Sequence, residues 1–430
     1  MERLFGIRAQ GSTVRTEVVA GFTTFLTMAY IMFVNPSILG MTGMDPQGVF
    51  VATCLSAAAG TLLVGLIANY PIALAPGMGL NAYFTFSVVK GMGLPWQVAL
   101  GAVFLSGILF LIVSVTRLRE LIVNSIPRSQ KMAISAGIGL FLGFIALKSA
   151  GVVVASPATF VTLGNLRSPE VLLSTFGFLL IVALDSRRVT GSILIGVLVV
   201  TVLGIVFHVS PYGGVFSMPQ HFDKVFMQMD IKGALKLSAL TIIFAFFFVD
   251  LFDTTGTLVG VANRAGLMGP DGRLPRLNRV LFADSLAIMI GAALGTSTVT
   301  SYVESTSGVR AGGRTGLVGV VVAGLFLLSL FLSPLAGNVP AYATAPALLF
   351  VACLMARGLT EIDWEDATEY APALVTALAM PLTYSIANGI ALGFITFAGV
   401  KIFAGRFRQL GVVMFILAAL FVARFVILDI

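Results

Sequence analysis

Charge is what this sequence has least of. Asp, Glu, Lys and Arg make up 10% of its 430 residues and hydrophobic residues 58%, whereas a soluble globular protein carries about 25% charged residues. Such a chain cannot cover a water-facing surface. Cysteine is equally scarce: Cys54 and Cys353 both fall inside apolar runs, which excludes a disulfide framework or a cysteine metal site and reads as two small buried side chains. The two histidines, His208 and His221, flank one polar loop and read as surface residues. No compact apolar core precedes a cleavage site in "MERLFGIRAQGSTVRTEVVAG", so no cleavable signal peptide is expected and the first span serves as the insertion signal.

What takes the place of charge is apolar length. Residues 46–89, 91–116, 189–207, 315–356 and 370–400 hold no charged side chain, and roughly 20 apolar residues cross a bilayer. The 46 glycines are too many for soluble helices and fit close-packed membrane helices. The chain reads as an all-α polytopic membrane protein. Fourteen spans are expected, near residues 18–36, 50–68, 72–88, 97–116, 131–147, 171–184, 190–207, 235–257, 280–295, 301–310, 315–332, 341–356, 370–384 and 387–403. A further apolar stretch, 411–428, either crosses the membrane or lies along it.

With the N-terminus in the cytoplasm, alternation gathers Arg3, Arg8, Arg15, Arg117, Arg119, Arg128, Lys131, Arg187, Arg188, Arg264, Arg273, Arg276, Arg279, Arg310, Arg314, Arg357, Lys401, Arg406 and Arg408 on the inner side. That is 19 of the 26 basic residues, the bias that the positive-inside rule requires. It points to a multi-pass protein of the cell inner (plasma) membrane. It also accounts for the net charge of +7 without invoking nucleic acid.

The spans divide into two sets of seven, and the third of each set is interrupted. "ALAPGMGLNAYF" (73–84) and "TSTVTSYVESTSG" (296–308) lie about 220 residues apart. Seven is odd, so the second set enters from the opposite side: an inverted repeat, a plan shared by many transporters.

A carboxylate inside a span costs about 2.5–3.5 kcal/mol on insertion scales, and a carboxyl group removed from water favours its neutral form, which lets it take up a proton. Four acids lie in the spans: Asp250 and Asp253 in "FAFFFVDLFDTTGTLVG", Asp284 in "VLFADSLAIMIG", and Glu304. Asp250 and Asp253, three apart, face roughly one side of a helix. Asp284 adjoins the basic loop 264–279 and is expected to make a structural ion pair. The segment around Glu304 is too short for a span. Thr298, Val299 and Thr300 are β-branched and favour extended chain, leading into a short helix whose N–H groups face a ligand. In the first repeat Pro76, Gly77 and Gly79 break the helix, and Asn81 supplies both a donor and an acceptor. Irregular backbone at this depth must be buried in protein or line a cavity.

The candidate site is therefore Asp250, Glu304 and Asn81, with backbone at Leu80 and Val303, aromatic faces from Tyr302, Tyr83 and Phe84, and Asp253 beside them. It suits a small, flat, neutral ligand rich in N–H donors and ring acceptors. The absence of deep Arg or Lys from these spans argues against a strongly anionic ligand. The competing readings are an anion or other small-solute secondary transporter of the same architecture, a channel, and an intramembrane aspartyl protease. Two aspartates on one helix without a Gly-x-Gly-Asp sequence do not make a protease dyad, so no enzyme is expected, and no cofactor or metal beyond a coupling ion.

Four motifs, "RTEVVAGFTTFLTMAYIMFVNPSIL" (15–39), "ALAPGMGLNAYF" (73–84), "DLFDTTGTLVGVANRAGL" (250–267) and "GTSTVTSYVESTSGVRAGGRTGL" (295–317), together resemble the AzgA-like purine permeases of the xanthine/uracil permease superfamily. The resemblance runs from about Glu2 to Arg408. It implies fourteen segments in two inverted seven-segment repeats, with short strands at the broken segments 3 and 10. It also implies a substrate-carrying core (15–116 and 235–332) and a gate (131–207 and 341–403) that often forms a homodimer surface; 411–430 stays unplaced. The activity implied is proton-coupled uptake of adenine, guanine or hypoxanthine, with elevator-type alternating access as the expected mechanism. Asp250 matches the acidic substrate position of the eighth segment, Glu304 that of the tenth and Asn81 the polar position of the third; Asp253 matches a second acid, and Leu80, Tyr302 and Val303 match flanking positions. Asp250 or Glu304 would bind the coupling proton. Asp250 suits the exocyclic amine of adenine, but guanine offers donors on the same edge.

Overall fold

The computed structural model describes residues 2–116, 126–267 and 274–427; Arg117, Arg119 and Arg273 of the basic loops and the last three residues of the 411–430 segment lie outside them. Among the described residues ten helices are long and apolar enough to cross a bilayer: Val14–Gly40, Pro46–Ile67, Trp96–Val115, Arg128–Ser149, Pro169–Ser186, Leu240–Ala262, Leu277–Leu294, Leu317–Leu335, Ala341–Glu361 and Ile386–Phe403. Ser192–Val206 and Ala367–Leu382 are shorter. Two more segments, at 74–91 and 299–310, are interrupted. Together these match the fourteen segments expected from the sequence.

Local chemistry sets the ends of the helices. Asp45 caps Pro46–Ile67 by accepting from the N–H groups of Gln47 and Gly48 at 3.1 and 3.0 Å, with Pro46 at the first helical position, where no N–H is needed. Small residues set how closely the helices pack. A β-carbon on Gly65 would lie 2.8 Å from the carbonyl oxygen of Gly316, so two segments touch backbone to backbone there.

Contacts divide the chain into two compact units, 1–115 with 149–347 and 116–148 with 348–430. The first unit contains both interrupted segments. It holds strand β1 (Leu74–Pro76), the hairpin of β2 (Val153–Ser156) and β3 (Phe160–Leu163), and β4 (Val299–Ser301). β1 pairs with β4 across the repeat.

The second unit is built around the helical pair Ala367–Leu382 and Ile386–Phe403, joined through Tyr384 at φ +54°. The acidic run at its base is engaged. Lys401, fully buried, donates to Thr368, Glu369 and Gln409 at 2.8, 2.6 and 2.8 Å, and Arg406 pairs with Asp366 at 2.5 Å. The C-terminal stretch is a helix, Val412–Ile427. It runs back along Ile386–Phe403: Phe421 meets Phe394 with ring centroids 6.0 Å apart, and Arg424 Nη2 donates to Asn388 Oδ1 at 3.3 Å. Cys54 is buried as expected, but Cys353 is exposed; an apolar run predicts membrane depth and does not say which face of a helix turns inward.

Candidate functional site

The two interrupted segments meet. Leu74, Ala75 and Pro76 lie opposite Ser301, Thr300 and Val299 in an antiparallel register. Gly77 N–H donates to Thr298 O at 2.9 Å, and Tyr302 N–H to Ala73 O at 3.0 Å, which extends the ladder at both ends. Two three-residue strands leave most of their backbone groups without strand partners, and no water is available at membrane depth to satisfy them. The surrounding hydroxyls supply the missing partners. Ser305 Oγ accepts from Ala73 N–H at 3.0 Å. Thr61 Oγ1 accepts from Leu74 N–H at 2.9 Å and donates to Leu74 O at 3.0 Å. The Tyr302 hydroxyl donates to Pro76 O at 2.6 Å. Asn35 Nδ2 donates to Thr53 and Thr296 at 2.7 and 2.8 Å. Of the run 296–308, Thr296, Ser297, Thr298, Thr300, Ser301 and Ser305 are all buried, so it is not a solvated loop. A β-carbon on Gly77 would fall 2.5 Å from Thr300 Cγ2; the strand crossing has room for glycine alone.

After β1 the chain forms a short helix, Met78–Ala82, that widens into a π-helix over Tyr83–Gly91. Leu80 and Asn81 are buried on its first turn. Ser297 donates to Asn81 Oδ1, while Asn81 Nδ2 has no partner among the described residues. Tyr83 and Phe84 pack their rings against Phe246, with centroids 4.9 and 6.5 Å away.

After β4, Tyr302 and Val303 turn into the helix Ser305–Arg310, with Glu304 at its cap position but making no capping bond. Glu304 Oε1 instead accepts from the Tyr30 hydroxyl at 2.6 Å. Glu304 is partly open and Val303 is 50% exposed, so the tip of this segment is the accessible edge of an otherwise closed cluster.

On the helix Leu237–Arg264 the two acids act on each other and each has a further acidic neighbour of its own, Asp284 for Asp250 and Glu304 for Asp253. Asp250 is 1% exposed, and neither of its carboxylate oxygens has a hydrogen-bond partner of good geometry among the described residues. Thr254 and Thr300 flank it, but their hydroxyls are committed elsewhere. Thr254 donates to Asp284 Oδ2 at 3.2 Å and therefore accepts from Thr300 in their 2.8 Å contact, because a hydroxyl has one proton to give. Asp284 thus lies beside Asp250 as a buried acceptor; of the basic loop 264–279 expected to pair with it, residues 268–273, with Arg273, lie outside the described residues. Asp253 is partly buried, and Glu304 is a charge that acts on it; both act on Tyr302. The seven expected residues therefore fall into three settings. Glu304, Asp253, Tyr302 and Val303 gather at the tip of the second segment. Asp250 lies with Asp284, Thr254 and Thr300 against β4, and Asn81 with Leu80 contacts the run preceding β4 through Ser297. Among the described residues, no cation is an electrostatic neighbour of Asp250, Asp253 or Glu304.

Sequence reasoning missed Tyr30, Asn35 and Thr61. Their signal was present: Tyr30 and Asn35 are polar groups within the first apolar span, and Thr61 is one within the second.

Comparison with known proteins agrees with this architecture. The Permease family (Xan_ur_permease) matches residues 15–392. The chain is similar to the adenine permease AdeP of Escherichia coli (strain K12), 50% identical over 429 residues that cover 100% of this chain and 96% of AdeP. It is similar also to the guanine/hypoxanthine permease PbuG of Bacillus subtilis (strain 168), 46% identical over 442 residues and 100% of both chains. Among solved structures, the transmembrane domain of a cyanobacterium bicarbonate transporter, BicA, superposes with a TM-score of 0.65 over 87% of this chain and 96% of that one, at 15% identity. That likeness shows the fold: an all-α polytopic membrane protein of two inverted seven-segment repeats. With a family match over most of its length and two full-length relatives at such identity, this chain belongs to the Permease family and is an integral-membrane transporter, not an enzyme.

Proposed function

We propose that this permease takes up purine nucleobases (adenine, guanine or hypoxanthine) together with protons. The observation that carries the reading is the chemistry gathered where the two interrupted segments meet. Glu304 and Asp253 are acceptors at an accessible tip of the second segment, Asn81 Nδ2 on the first is a donor with no partner among the described residues, and no cation attends the two acids among them. Purine edges combine N–H donors with ring-nitrogen or carbonyl acceptors, and such a set complements them. The relatives named for adenine and for guanine and hypoxanthine support the same class.

Asp250 or Glu304 takes the coupling proton. A buried charge without partners is costly, and among the described residues no hydrogen bond of good geometry and no cation reaches Asp250; neutralising it makes the loaded carrier cheaper to move than the empty charged one. In this reading residues 15–116 and 235–332 carry the substrate as an elevator past a gate of 131–207 and 341–403. The gate also joins two copies. The protein sits in the cell inner membrane with its N-terminus in the cytoplasm.

The test is uptake of radiolabelled adenine and hypoxanthine by a host lacking purine transport, with and without an uncoupler. Uptake abolished by the uncoupler is expected. Uptake of neither base would overturn the substrate class, and uncoupler-insensitive uptake would overturn the proton. Competition by oxoanions would instead favour an anion carrier.

A further inference from the structure

Tyr30 stands at a break in the first span. The helix Val14–Met28 ends before it, and Ile31–Gly40 begins after it. Its side chain is wholly buried, and its hydroxyl donates to Glu304 Oε1 at 2.6 Å, across 274 residues of sequence. One turn earlier, Thr27 Oγ1 reaches the backbone oxygen of Glu304 at 3.5 Å. The carboxylate caps none of the N–H groups of the helix that follows; besides the Tyr30 hydroxyl, the backbone N–H of Glu304 itself acts on it. Oε1 is committed to Tyr30, and Oε2 is the oxygen left to face a ligand. A hydroxyl bonded to a carboxylate is among the stronger hydrogen bonds available to a side chain and fixes the orientation of the acid.

We propose that Tyr30 is a positioning residue: it holds Glu304 Oε1 so that Oε2 is the single carboxylate oxygen offered to the transported purine, and this sets discrimination between purines. The inference rests on the purine reading above. With Glu304 ionised, Oε2 accepts one N–H. With the proton on Oε2, the same atom donates to a ring nitrogen or carbonyl, while Oε1 still accepts from Tyr30. In both states one contact is made at one place, so a purine is selected by the group it presents there. Without the phenol hydroxyl the carboxylate rotates and offers either oxygen, and purines with different donor patterns bind more alike. A merely structural Tyr30 would act through its ring, which Phe retains.

The experiment compares wild type with Tyr30→Phe in two ways. Infrared spectra of the purified protein identify the Glu304 carboxyl band as the one missing in Glu304→Gln; this band is expected to shift in Tyr30→Phe, and an unshifted band overturns the proposal. In cells, the KM for labelled adenine and hypoxanthine is expected to rise about tenfold with the maximal rate within about twofold. The preference between the two bases should move toward unity and the pH profile of uptake should be displaced. An unchanged preference and profile overturn the proposal. If Tyr30→Phe does not accumulate in the membrane, Glu304→Asp withdraws the acid from the same hydroxyl with the ring intact; the same loss of preference is expected, and its absence overturns the proposal. A wild type that takes up no purine sinks the proposed function, while the infrared band still decides whether the bond exists.

Discussion

The two interrupted segments pair with each other, but their chemistry differs. The first, 74–91, is broken by Pro76 and Gly77, which remove a donor and a β-carbon. Among the described contacts at its strand, its own side chains satisfy none of the backbone. The second is broken by β-branched residues and is dense in hydroxyls. Those hydroxyls serve the first segment: Ser305 takes the Ala73 N–H, Tyr302 gives to the Pro76 carbonyl, and Ser297 gives to Asn81. Support therefore runs from the second segment to the first. The accessible carboxylate also sits on the second, where it can be reached without unpairing the strands.

This asymmetry can be broken by mutation. The largest effect is expected from the acids. Glu304→Gln and Asp250→Asn should each reduce proton-driven uptake by at least about tenfold, and unaltered uncoupler-sensitive uptake in both would refute their assignment. Next comes the crossing itself. Gly77→Ala sets a methyl group against Thr300 Cγ2 and should cost about 1–3 kcal/mol of stability, read as a lower thermal midpoint in detergent; Thr300→Ser removes that methyl and should restore it. A midpoint that does not fall in Gly77→Ala would mean that the strands are not so closely apposed.

A smaller effect is expected at the cross-link between segments. Ser297→Ala frees Asn81 Oδ1 inside the protein and should cost about 1 kcal/mol, with the KM for purine raised a few-fold or less. An effect on KM larger than that of Glu304→Gln would reverse the ranking of the two segments. The smallest effect lies away from the site. The backbone N–H and hydroxyl of Thr368, with Arg406, hold the Asp366 carboxyl down at about 2, below the roughly 3.9 of an unfolded chain. The stabilisation is therefore complete above about pH 4 and lost as pH falls through about 2. Asp366→Asn should lower the thermal midpoint slightly at pH 7, with a difference that narrows as the pH falls below 4. A difference that persists undiminished into acid would locate the loss elsewhere.

Much of the site was legible in the residues. The β-branched triplet Thr298–Thr300 became part of β4, and Pro76 and Gly77 ended β1 where the break was expected. Spacing alone left the further neighbours of two pairs unspecified. Asp250 and Asp253, read as facing roughly one side of a helix, are about 60° apart. They act on each other, and in a helix packed on several sides that angle adds Asp284 to the surroundings of the first and Glu304 to those of the second. Tyr83 and Phe84 were read as faces for a ligand, but they pack against Phe246; whether an aromatic ring lines a site or a core depends on the helix opposite, which local sequence does not specify.

The sequence by itself determined the number of membrane segments, the two places where they break and the polarity of each break. Those follow from apolar length, β-branching and the special backbones of proline and glycine, all of which act over a few residues. The tertiary structure alone decided that the breaks pair in register, that Tyr30 holds Glu304, and that Asp253 shares its neighbourhood. Each of these joins groups far apart in the chain, and which groups meet is settled by how the helices pack.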